Sequence, residues 1–108
     1  MVIFSTLIPT HRNDGSKVAE SETQEILAGL WTRFGGLTID GIVTGHWIDP
    51  ADGRHYRDES LKVTIACEPE QIGEAEKAVI EIGRRLGQLE MYFEVRDTDV
   101  RFLKVPER

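Results

Sequence analysis

The chain has one cysteine, Cys67, so no internal disulfide can form. It lies at an apolar position of a β-rich run, where a buried, inert thiol is the simple reading. No apolar run approaches the about 20 residues that a membrane-spanning helix needs. The opening MVIFSTLIPTHR has too short an apolar stretch, and no charged region before it, for a signal peptide. A soluble, cytoplasmic protein is therefore expected. Basic residues are outnumbered, 13 against 19 acidic, for a net charge of -6, and they are dispersed. Nucleic acid and anionic membranes attract clustered Lys and Arg, so neither is expected as a partner.

Sequence motifs for phosphates and metals are missing as well. The glycines at 35, 36, 41 and 45 form neither GxxxxGK[ST] nor GxGxxG between a strand and a helix. No HExxH, CxxC or EF-hand pattern occurs, and His11, His46 and His55 are scattered, so no metal and no cofactor are expected. Ser60 and Asp58 beside His46 are a weak basis for a nucleophilic triad. What remains is a chain of 108 residues, enough for a single core but not for two. With 40% hydrophobic and 30% charged residues it reads as one ordinary globular domain over residues 1–108.

Val2 to Ile8 is rich in strand formers and stops at Pro9. Parity does not choose its core face, because Ile3, Ser5 and Leu7 compete with Val2, Phe4, Thr6 and Ile8. Thr10 to Lys17, containing Asn13-Asp14-Gly15, is a polar turn whose His11 and Arg12 are read as solvated. Ser21 and Gln24 have capping-box spacing, and Ile26, Leu27, Leu30, Trp31 and Phe34 make an apolar helical stripe that Gly35-Gly36 ends. Trp31 and Phe34 are assigned to the core.

A second helix opens at Glu68-Pro69-Glu70. It carries Ile72, Ala75, Val79, Ile82 and Leu86 on one stripe and closes at Gly87, with Arg84 and Arg85 compensating its dipole. Leu89 to Val95 returns to β character, and Val100 to Val105 reads as a possible extra strand. The order βαββαβ predicts an α+β fold, a ferredoxin-like split βαβ plait with an antiparallel sheet and both helices on one face.

Between the helices lies FGGLTIDGIVTGHWIDPADGRHYRDESLKVTIAC, two alternating runs joined at Pro50-Ala51-Asp52-Gly53-Arg54, which reads as a long β-hairpin. Gly41 and Gly45 inside the first run mark a bulge, a bend or room for something bulky. Parity puts Leu37, Ile39, Val43, Gly45 and Trp47 on the core face with Leu61, Val63, Ile65 and Cys67. The register then sets Val43 against Leu61, Ile39 against Ile65, Glu59 against Gly45, and Arg57 beside Trp47. On the other face it pairs His46 with Asp58 and Ile48 with Tyr56.

An acid on the core side costs several kcal/mol unless paired, so Glu59 needs Arg57, another donor or a ligand. Trp47, Arg57, Glu59 and Gly45 are thus candidate ligand-binding residues, and Glu59 and His46 are candidate general bases. The opposite face, with Ile42, Thr44, His46, Ile48, Tyr56 and Asp58, is half apolar and has to be covered, which predicts a homodimer packed sheet against sheet.

On these residues the chain resembles a small bacterial domain-of-unknown-function family with an FxGLTxxxGxGxW element, an acidic Gly turn and a glutamate before an apolar strand. Phe34, Gly36, Leu37, Thr38, Gly45, Trp47, Gly53 and Glu59 match, while His46 and the first strand depart from it. The resemblance implies the ferredoxin-like fold and singles out Gly45, Trp47 and Glu59, without implying a reaction. Three functions follow: a small-ligand-binding or sensory domain with its pocket at the hairpin, a cofactor-free enzyme using Glu59 or His46 on a small organic substrate, or a partner-binding module using the sheet face or edge.

Overall fold

A computed structural model describes residues 1–107. The chain forms β1 (Val2–Pro9), α1 (Glu20–Phe34), β2 (Thr38–Ile48), β3 (His55–Cys67), a single 3-10 turn at Pro69–Gln71, α2 (Ile72–Arg85) and β4 (Phe93–Arg96). The strands lie in the order β2-β3-β1-β4, each antiparallel to its neighbour. With both helices on one face this is the ferredoxin-like plait. No described helix is long and apolar enough to cross a membrane.

The pairing settles the face of β1 that parity left open. Val2, Phe4, Thr6 and Ile8 stand opposite Cys67, Ile65, Val63 and Leu61, and opposed residues share a face. That face meets Ile26, Leu27 and Leu30 of α1 and Ala75, Val79 and Ile82 of α2 in one core. Cys67 is buried in it, and burial pushes its thiol pKa up, which suits an inert side chain. Thr6 is buried too, its hydroxyl donating to the Tyr92 carbonyl at 2.7 Å.

α2 follows its expected stripe, and the side chain of Gln71 accepts the Glu68 N–H at 2.9 Å where the helix is entered. α1 differs in detail. It starts at Glu20 with no side-chain cap, so Ser21 does not form the expected capping box. Gly35, at φ 88°, ends it by donating its N–H to the Trp31 carbonyl at 2.8 Å. Phe34 packs edge-on to Phe4 with centroids 5.3 Å apart. Trp31, assigned to the core above, is 44% exposed, because the stripe is completed by Ile26, Leu27 and Leu30 and Trp31 falls beyond its margin.

Two further expectations are corrected. Residues 100–105 form no strand: they make no helix, turn or bend and are unpaired, and the last strand is the short β4. Arg12, read above as solvated, is ion-paired, and it shares its partner with Arg85. Both bind Glu22 of α1, Arg85 through Nε at 3.0 Å, and Arg85 also reaches Glu25 at 3.1 Å. Arg12 and then Arg85 hold the Glu22 carboxyl below the usual carboxylate range, so the first loop, α1 and α2 are joined by charge.

The sheet does not end where the helices do. β2 and β3 run on as a two-stranded arm, and the long axis reaches 59 Å against 29 and 23 Å for the others. The radius of gyration, 15.6 Å, exceeds the about 13 Å of a compact chain of this length.

Candidate functional site

The arm carries most of the candidate residues, and its register is set by its turn. Asp49 N–H donates to the Arg54 carbonyl at 2.9 Å, so the turn between them is Pro50–Gly53, one residue shorter than expected. Side chains fix it: Asp49 Oδ1 accepts from Ala51 N–H and Asp52 Oδ1 from Arg54 N–H, both at 2.8 Å. Shortening the turn by one residue slides the strands by one, and a slide of one exchanges the faces of β2 relative to β3. Val43 therefore faces Ser60 instead of Leu61, Thr44 faces Glu59, His46 faces Arg57, and Trp47 faces Tyr56.

Further along, a bulge between Ile39 and Gly41 takes up one extra residue of β2. Ile39 thus returns to the helix side, opposite Val63 and not Ile65. Gly41 has φ 128°, a conformation that L side chains rarely adopt, which explains the glycine here. Asp40, the surplus residue, accepts the Thr64 hydroxyl at 2.6 Å.

The corrected register splits both candidate sets. On the open face lie Gly45, Trp47, Tyr56 and Asp58; on the helix side lie Ile42, Thr44, His46, Ile48, Arg57 and Glu59. The six residues expected to form one dimer face do not share a face. His46 does not pair with Asp58, nor Ile48 with Tyr56. Asp58 instead accepts the Trp47 indole N–H at 2.5 Å, while Trp47 and Tyr56 stack with centroids 4.6 Å apart. Arg54 sits over Tyr56 at 5.2 Å. On the helix side His46 Nδ1 and His55 Nε2 share a hydrogen bond of 3.0 Å. Ser60, Asp58 and His46 therefore do not assemble into a triad.

Glu59 is on the helix side, as parity requires, but it is exposed, because the helices stop short of it. It makes no ion pair with Arg57 among the described residues. Its backbone carbonyl accepts both the N–H and the hydroxyl of Thr10 at 3.1 Å, and Oε1 lies 3.4 Å from the same hydroxyl. The carboxylate is held beside the first loop and keeps most of its acceptor capacity for something else.

A cleft of about 770 Å³ lies where the arm leaves the body. Gly45, Trp47, Arg57 and Glu59 all border it although they belong to two faces, because it wraps the root of the arm. Its other walls are the first loop, with His11 and Arg12, and the segment before β4, with Gln88 and Tyr92. Sequence reasoning missed these loop residues, since nothing local ties residues 11–15 and 88–92 to the arm. The only sequence cue was their polarity. A second cleft of about 520 Å³ runs along α2, lined by Ile80 and Leu89, and shares Gln88, Glu90 and Met91 with the first. Among the described residues no group of three or more His, Cys, Asp or Glu is placed to hold a metal ion.

No protein-family model and no curated protein matches the sequence. Among solved structures the chain is similar to a phage SAM lyase in complex with S-methyl-5′-thioadenosine. The TM-score is 0.71 at 10% sequence identity, over 89% of this chain and 80% of that one. At that identity the likeness is one of fold.

Proposed function

We propose that the protein binds a small organic molecule in the cleft at the root of the arm. The observation that carries this reading is the cleft itself, which wraps the root of the arm and is bordered by a stacked aromatic pair on one side and by an uncommitted carboxylate and an arginine on the other. Ligand sites combine apolar or aromatic walls with a few oriented polar groups in this way. The fold likeness to a structure solved with S-methyl-5′-thioadenosine supports a purine nucleoside thioether as the first compound to try. Trp47 and Tyr56 offer a flat surface to such a ring, and Glu59 an acceptor for its hydroxyl or amino groups.

The test uses the tryptophans. Trp31→Phe leaves Trp47 as the sole indole, so quenching or a spectral shift on titration with S-methyl-5′-thioadenosine or S-adenosylmethionine reports on the cleft. Ligand at about 100 times Kd stabilises the native state by about 2.7 kcal/mol, an easily read rise in Tm. Glu59→Gln should weaken binding while leaving the unliganded Tm in place. If a broad metabolite panel that includes both compounds moves neither Tm nor Trp47 emission at millimolar concentration, the reading is wrong.

The exposure of Glu59 at the cleft favours a second reading, a cofactor-free enzyme with Glu59 as general base. Turnover of a bound compound that is lost in Glu59→Gln, with binding retained, would select it over simple binding.

A further inference from the structure

Residues 100–105 have the composition of a strand and, among the described residues, no strand to pair with. Phe102, Leu103 and Val105 are 75, 81 and 88% exposed. The segment makes no helix, turn or bend that would have to open before it paired, and at its start Arg101 Nη2 reaches Asp99 Oδ2 at 2.7 Å with Nε 3.1 Å from the same carboxylate.

An unpaired edge on the same molecule matches it. Among the described residues β2 is bonded to β3 alone, and its outer side is free along 11 residues. Beyond the bulge, Ile42 to Ile48 is regular and contains neither Pro nor Lys, the residues that usually blunt an edge. Ile42 and Ile48 there are 57 and 65% exposed. The other edge of the sheet, β4, is only 4 residues long.

We infer that the 100–105 segment of one copy adds as a strand to the Ile42–Ile48 edge of a second copy, joining the chains head to tail. A second copy is the occupant because each chain carries both halves of the contact, on opposite sides of its sheet. The tail leaves β4 at one edge and β2 is the other, with β1 and β3 between them. Pairing would satisfy the backbone groups of both segments and set either Phe102 or Leu103, which alternate, on the face of Ile42 and Ile48, as in strand-addition complexes. A contact between two different surfaces repeats until the assembly closes. This inference rests on the edge and the tail and does not depend on a ligand in the cleft.

The experiment is light scattering at tens of micromolar on the full chain and two variants. Phe102→Asp with Leu103→Asp disables the tail, and Ile42→Asp with Ile48→Asp disables the edge. All four positions are exposed, so circular dichroism should show both variants folded. The full chain is expected to be an oligomer and each variant a monomer. An equimolar mixture should form a 1:1 dimer, because each variant retains the half that the other has lost. A monomeric full chain, a tail variant that keeps the parent mass, or a mixture that stays monomeric would each overturn the inference.

Discussion

The two ends of β3 obey the same alternation and meet different fates. From Leu61 to Cys67 every second side chain enters the core, whereas from His55 to Glu59 the helix-side residues stand in solvent. What differs is the cover: α1 and α2 extend over one end only. Alternation therefore tells which way a side chain points, and not what it points into. This contrast turns Glu59 from the buried, ion-paired acid expected of its parity into an exposed one at the rim of a cleft.

The contrast is sharpest under matched substitutions. Ile65→Ala in the covered end should cost about 2–5 kcal/mol, while Ile48→Ala in the arm, measured in dilute monomeric protein, should stay within about 0.5 kcal/mol. Urea midpoints would show both, and equal losses would mean that the arm is packed after all. The glycines of β2 give a second pair. Gly41→Ala forces a side chain onto φ 128° at the bulge and should cost about 1–3 kcal/mol. Gly45→Ala, in the arm with open space around it, should be close to neutral.

Smaller again is Glu59→Gln, expected to leave the Tm of the unliganded protein within a degree or two because no ion pair is broken. A large drop would restore the structural role for this acid. The last prediction belongs to the body. Glu22 has its folded-state pKa lowered by Arg12 and Arg85. Its contribution is therefore present above the ordinary carboxylate pKa and lost as pH falls through the lowered value. Glu22→Gln should flatten that part of the stability-against-pH curve on the acid side, read from thermal melts between pH 6 and about 3.

The body was largely legible in the sequence because its signals are redundant. α2 has a stripe, an acidic entry and a glycine exit that agree, and the order of elements then leaves few topologies. The arm was not, because its faces depend on one residue of turn length. Asp49 and Asp52 close a tighter loop than the Pro-to-Arg span implied, and every pairing moved with it. Gly41 did carry the signal for a bulge, but not its position relative to the register. The cleft walls and the Arg12–Glu22–Arg85 cluster join segments far apart in the chain, which periodicity cannot see. Val100 to Val105 was read from propensity alone, and propensity supplies no neighbour to pair with.

The elongation to which the arm and the segment after β4 both belong also affects how the protein will behave in solution. A particle 59 Å long and less than half as wide in either other direction drags more solvent than a sphere of equal mass. On a gel-filtration column calibrated with round proteins, a lone chain would elute early and pass for something heavier. Its mass should be taken from scattering or sedimentation equilibrium, which are insensitive to that asymmetry.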